Sequence, residues 1–460
     1  MAKRTKKQGA FPLIAAIALS VILVSGIVTI GAMNLLATDE LYTVYKTAFT
    51  ANSVISGLAV FGVCAALCAA VFFAAGYRRA FIVILALALL ARLAAALFWR
   101  IEPESDFKIT YDLAALLART PVTRWGAALD SCGTSYNSVW AAHMPFIVYQ
   151  SLLLRIWSNA AILRVFNALF SFGSCVLLSL TAERLGGRTA KRIAAAAMAF
   201  NPALVFMIPV LTNQHSAQFF FVLGIFLFFT LNKRSIFLRS ALAGLCLGVS
   251  QLLRAEMWVV VIAAAVYAVY SELRSREFGK KLPVFAVGLC VFLAVTAAMN
   301  TFLTSANVIH GSIYNGNLNY KLMVGLNPET NGAWSAEDSR LEGNDRAINT
   351  VIVSRLKNDP LMLPVRLYGK AVFQLGTYVY TWCFRTGSAW ISQMIMRRGG
   401  AALMLMVCTL AVIKLLRRRR EELIWVYITL LGYALFYALC EVQGRYSMSF
   451  IPLLALIAAL

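Results

Sequence analysis

Charge is what this chain has least of. Only 13% of its 460 residues are charged, and acidic residues number 20 against 42 lysines and arginines. A soluble domain is about a quarter charged and roughly half apolar, whereas here the hydrophobic share is 60% and the mean hydropathy is +0.74. That excludes a soluble core of the usual kind. Cysteine chemistry is also excluded as the main theme. Seven of the nine cysteines lie in apolar runs and read as small core residues, and no C-x-x-C or metal-ligand spacing occurs. Cys132 and Cys383 fall in polar segments, which leaves a bridge between them open.

What is present is apolar run after apolar run. Stretches near the ~20 residues needed to cross a bilayer lie at 11–36, 52–75, 80–99, 162–181, 193–210, 216–231, 240–253, 256–271, 283–303, 400–416, 423–440 and 446–460. They predict an all-α polytopic membrane protein with about 12 transmembrane helices, because a lone segment in lipid must satisfy its own backbone. The short pair at 240–253 and 256–271 reads either as two spans or as one broken unit meeting at Arg254. The first run is long and has no A-x-A cleavage pattern, so it reads as a retained helix.

Positive charge orients these helices. Lys3, Arg4, Lys6 and Lys7 put the N-terminus in the cytoplasm. Alternation then puts five more basic turns on that side: Arg78-Arg79, Arg184 to Arg192, Lys233 to Arg239, Arg274 to Lys281, and Lys414 to Arg420. The C-terminus falls there too, in a multi-pass cell-membrane topology. This accounts for the net charge of +22 without nucleic-acid binding.

Two long segments then face outward, and the chain divides accordingly. Residues 1–79 form a two-helix extension. Residues 80–303 form a membrane core carrying a first external loop, 100–163. Residues 304–399 form a second external loop with interfacial helices, and 400–460 the last membrane helices. In the first loop, Ile109, Leu113, Leu116 and Leu117 predict a helix over 108–119. Phe146 to Trp157 is too short to span and predicts a helix lying at the interface. The second loop opens on Asn/Gly-rich turns from Gly311 to Tyr320 and ends near Trp382 and Trp390, aromatics suited to a lipid interface. Arg397-Arg398 is an outward basic pair set against the general bias. Long loops of this kind usually carry function, so the working surface is expected outside.

Against this scarcity of acids, Glu102-Pro103-Glu104-Ser105-Asp106 packs three carboxylates at a membrane edge. Ionised carboxylates beside hydrocarbon need a partner, a proton or a role. Asp106 is the candidate general base, with Glu102 and Glu104 near enough to raise its proton affinity. A solvated loop start explains the same residues. His143, ahead of Met144-Pro145, and the turn Asn213-Gln214-His215 are candidates for lining the site, or for ordinary structural roles. Arg254 and Arg445 stand at outer helix ends, where a guanidinium fork suits phosphate oxygens. Snorkelling to headgroups is the alternative.

The ordered set of motifs resembles the C-type (GT-C) membrane glycosyltransferases, in particular the protein O-mannosyltransferase and aminoarabinose-transferase type, family 39 in bacteria. The resemblance rests on Asp106 after a membrane helix, Arg164-Val-Phe-Asn-Ala-Leu169, and the turn from Glu183 to Arg192. It continues through Asn201-Pro202, Leu211 to His215, Leu253-Arg254-Ala-Glu256, Gln443-Gly-Arg-Tyr446 and Pro452, so that it covers about residues 80–460. It implies a GT-C-like fold and transfer of a hexosyl or pentosyl unit, with inversion, from a polyprenyl-phosphate donor to an acceptor at the outer face of the bilayer. By the family pattern Asp106 is the base, and Arg254 and Arg445 face the lipid phosphate. Many relatives have an acid where this chain has Asn213-Gln214-His215, which leaves a second carboxylate or a divalent metal open. A flippase or transporter of lipid-linked sugars, and a polymerase or ligase, are the competing classes.

Overall fold

A computed structural model describes residues 10–35, 51–231, 234–275, 279–314, 317–358, 360–376, 399–417 and 420–460. Among them every regular element is helical and none is a strand. Seven helices are long and apolar enough to cross a membrane: Ala10–Thr29, Arg78–Phe98, Ala161–Met198, Ile236–Leu253, Leu282–Ser305, Gly400–Arg417 and Glu421–Leu439. Gly62–Ala74, Gln214–Thr230 and Gly444–Ala459 are shorter apolar helices. The N-terminal basic cluster, Cys383, Trp382, Trp390 and Arg397-Arg398 lie outside the described residues.

Helix boundaries settle the form of one expected pair of runs and correct another run. The pair at 240–253 and 256–271 is two separate helices, Ile236–Leu253 and Trp258–Ser275, with Arg254 in extended backbone between them (φ −150°). The run at 193–210 is not one helix. The Ala161–Met198 helix, broken only at Gly187 (φ 77°), ends at Met198, and residues 199–213 hold one short helix, Pro202–Phe206. Hydrophobicity alone does not reveal this break, because polar side chains elsewhere satisfy the freed backbone. Arg92, fully buried, donates to the carbonyls of Met198 (2.9 Å) and Ala199 (2.5 Å) and to Ser171 Oγ (3.0 Å). Asn167 Nδ2 donates to Ile208 O (3.2 Å) and Val210 O (3.1 Å), and Ser171 donates to Leu204 O (3.2 Å). Irregular backbone inside a helix bundle persists on such terms.

Tight crossings set the helix spacing. A methyl group at Gly244 would run into the Gly288 carbonyl, so Ile236–Leu253 and Leu282–Ser305 approach nearly backbone to backbone. The turns rich in lysine and arginine touch one another. Arg420 Nη1 donates to Leu185 O (2.9 Å), Arg274 pairs with Glu421 (2.8 Å), and Lys191 pairs with Glu183 (2.9 Å).

The two long segments fold into helical units of their own. In the first, the helix expected over 108–119 is Ser105–Arg119, and the short apolar run is Met144–Ile156. They pack through Leu113, Leu117, Trp125 and Leu153, with the Trp125 indole donating to Leu117 O (2.9 Å). In the second, Leu318–Gly325 packs on Asp345–Asn358. Buried Asp338 ties them, paired to Arg355 (2.7 Å) and accepting from Asn327 Nδ2 (2.8 Å). This unit is pinned to the end of Ile424–Leu439 by Lys370, whose Nζ donates to Gly325 O (2.6 Å) and Cys440 O (2.8 Å). A backbone bond from Val442 N to Gly332 O (2.8 Å) reinforces the join.

Candidate active site

Asp106 lies in the first turn of the Ser105–Arg119 helix. Its exposed side chain follows Ser105, which is held in the left-handed region (φ 51°), a conformation costly for a residue with a Cβ and one that clusters at functional sites. The next residue, Phe107, is buried and turns its ring to Arg445, whose guanidinium lies 4.6 Å above it. Arg445 also lies 5.7 Å over Tyr446, and Arg254 covers the same ring at 5.0 Å. One aromatic pair, Phe107 and Tyr446, thus links the acid's helix to both arginines.

The arginines differ in what they already hold. Arg254 is committed: its Nε pairs with Glu256 at 2.6 Å, and its Nη1 reaches Asn213 Oδ1 at 3.3 Å. Glu256, itself buried, accepts further hydrogen bonds from Ser449 Oγ (2.7 Å) and the Tyr437 hydroxyl. Arg445 is half-buried, and among the described residues its guanidinium has no carboxylate within ion-pairing distance; its Nε is buried without a hydrogen-bond partner. A cation with rings beneath it and no internal counterion is arranged to receive an anion.

Lys321 adds a second cation that sequence reasoning missed. Its Nζ sits 3.4 Å from Glu441 Oε2 and 5.2 Å over the Trp140 ring. Burial works against the ammonium, but Tyr446, Glu441 and Asp106 more than offset it, and its pKa lies above the ordinary lysine value. Glu342 was missed as well; it accepts a hydrogen bond from Trp140 Nε1, and burial, followed by the charge of Asp106, raises its pKa. The sequence signal for Lys321 is faint, a lone basic residue beside Tyr320 in the second long segment. Glu342 gave none, because the chain brings it to Trp140 from 202 residues away.

His143 belongs to this cluster. Its Nδ1 meets the Tyr136 hydroxyl at 2.7 Å, and its ring stacks on Trp140 at 5.3 Å with 10° between planes. Burial, then Lys321, Arg445 and Arg254, push its pKa down to about 3, so the ring is neutral at ordinary pH. The Tyr136 hydroxyl is held protonated by burial and by the nearby Asp106 charge.

The other named residues separate. Glu102 and Glu104 line a small groove with Phe107 and Pro209 to Leu211, and Glu102 lies toward Arg164. Gln214 lines a small cavity beneath Arg254 and Glu256. His215 is fully buried toward Arg92 and Met207 and takes no part in the cluster around Asp106. Among the described residues no three His, Cys, Asp or Glu side chains come together as a metal-holding group. Cys132 is exposed, its thiol donating to Leu129 O (3.1 Å).

No protein-family model matches this chain, and no curated protein matches it. Among solved structures it is similar to the archaeal oligosaccharyltransferase AglB from Archaeoglobus fulgidus in complex with an inhibitory peptide and a dolichol-phosphate, at TM-score 0.46 and 11% identity. That match covers 82% of this chain and 49% of the other. The apo form of the Archaeoglobus fulgidus oligosaccharyltransferase gives TM-score 0.48 and 13% identity over 82% and 49%. The chain spans about half the length of these proteins.

Proposed function

We propose that this protein is a C-type membrane glycosyltransferase, which moves a sugar from a polyprenyl-phosphate donor to an acceptor at the outer face of the cell membrane. The observation that carries the reading is the guanidinium of Arg445, without an ion-pair partner among the described residues and seated on Phe107, the residue that follows Asp106. The ordered motif resemblance, over about residues 80–460, points the same way. The basic turns then face the cytoplasm, and Asp106, Arg445 and Lys321 face outward.

In this mechanism Asp106 takes the proton from an acceptor hydroxyl as that oxygen attacks the anomeric carbon. The bond from that carbon to the phosphate oxygen breaks, and the polyprenyl phosphate departs with the electron pair from the opposite face, which inverts the centre. Negative charge develops on the phosphate, where Arg445 and Lys321 stabilise it. Arg254, neutralised by Glu256, supports Tyr446 beneath Arg445 rather than meeting the phosphate directly. His143, neutral and bonded to Tyr136, fixes the floor under Trp140. Asp106 acts without Glu102 and Glu104, which lie in the neighbouring groove.

Asp106→Asn tests the reading. Sugar transfer should fall by about 10²–10⁴-fold, the usual share of a general base, while donor binding persists. Near-normal turnover would sink it. Lipid movement across the bilayer with no released polyprenyl phosphate would instead identify a flippase.

A further inference from the structure

The small cavity beneath the Arg254–Glu256 pair is lined on its polar side by Gln214, Gln218, Tyr433 and Ser449. Four polar atoms of its lining residues have no hydrogen-bond partner among the described residues: both amide atoms of Gln214, Oε1 of Gln218 and the Tyr433 hydroxyl. These residues are only 3%, 7% and 0% exposed, so bulk water does not serve them. Gln218 Nε2 is fixed by donation to Met448 O (2.9 Å), which leaves its Oε1 as an acceptor. Buried polar atoms are almost always satisfied, by protein, by ordered water or by ligand.

Size and charge narrow the occupant. The free volume is about 10 Å³, near the least that admits one water molecule; a phosphate or a sugar ring does not fit. Arg254 and Glu256 cancel each other at 2.6 Å, so the cavity favours a neutral guest. The unpartnered atoms supply donors (Gln214 Nε2, the Tyr433 hydroxyl) and acceptors (Oε1 of Gln214 and Gln218). A hydroxyl group, with one proton to give and two lone pairs to fill, matches that set.

We propose that this cavity is a binding site for a single neutral hydroxyl, held by Gln214, Gln218 and Tyr433. Its source is either a resident water molecule or one hydroxyl of the donor sugar reaching in beside Arg254. The second source rests on the glycosyltransferase reading; the first does not. The site ties the start of the Gln214–Thr230 helix to the Gly444–Ser449 turn that carries Arg445.

A structure at a resolution that shows ordered water, solved without donor and again with undecaprenyl-phosphate mannose as the probe, tests this. A peak within hydrogen-bonding distance of Gln214 and Tyr433 without donor supports a resident water, whatever becomes of the glycosyltransferase reading. A peak only with the probe, continuous with its sugar, supports the substrate source. An empty cavity in both states overturns the site. Tyr433→Phe gives a second readout with little change in shape. Loss or weakening of the peak with a fall of about 2 °C in the thermal midpoint supports the site, and an unchanged peak and midpoint overturn it.

Discussion

The guanidinium of Arg445 lies 4.6 Å above the ring of Phe107. This contact joins the Gly444–Ser449 turn to the first turn of the Ser105–Arg119 helix, at the start of the first long segment. It brings a guanidinium that has no ion-pair partner among the described residues onto the residue that follows Asp106, 339 positions earlier in the sequence.

Arg445 and Arg254 are expected to behave differently when neutralised. Arg445→Gln should weaken donor binding about 10–100-fold, from the loss of about 1.5–3 kcal/mol of charged hydrogen bonding, with a thermal midpoint close to that of the parent protein. Arg254→Gln leaves buried Glu256 without its counterion, a loss of about 3–5 kcal/mol in stability. Thermal unfolding in detergent beside donor titration separates the two. Equal destabilisation by both substitutions would show that Arg445 is a structural residue.

His143 should leave no mark on the rate profile between pH 5 and 8, because its folded pKa is pushed down to about 3. Its stability effect has a definite sign. The unfolded chain, at the ordinary value of 6.5, binds the proton first as pH falls. Stability is therefore lost from about pH 6.5 downward toward pH 3. The thermal midpoint of the parent protein should drop more between pH 7 and 5 than that of His143→Gln; a parallel drop would contradict the assignment.

Lys370 pins the helical unit of the second long segment to the Cys440 carbonyl and is pushed down to about 8 by burial. Between pH 8 and 10.5 the unfolded chain holds the proton that the folded chain has released, so stability rises with pH through that window. Lys370→Met should lose this rise. At neutral pH the variant should be less stable by about 1–3 kcal/mol, since two buried carbonyls lose their donor. Unfolding curves at pH 7 and 10 measure both effects.

Arg92→Met should cost about 2–4 kcal/mol, because the carbonyls of Met198 and Ala199 and the Ser171 hydroxyl lose a common partner. Arg92→Lys should recover part of the loss through one remaining donor. Full stability in the methionine variant would mean that residues 199–213 are held by Asn167 and Ser171 alone.

By itself the sequence determined the all-helical membrane class, because hydrocarbon forbids unsatisfied backbone and the apolar runs are near bilayer length. It also marked the two long segments and the helices at 105–119 and 144–156, through local periodicity and run length. It could not mark the break at 199–213, whose backbone partners sit on other helices, nor divide Arg254 from Arg445, which look alike as arginines at helix ends. Only the tertiary structure decided that Arg254 is already paired, that Lys321 and Glu342 join Asp106, and that His215 turns inward. The physical reason is range. Periodicity and hydropathy act over a few turns of one helix, whereas the charge on each side chain is set by neighbours that packing brings from hundreds of residues away.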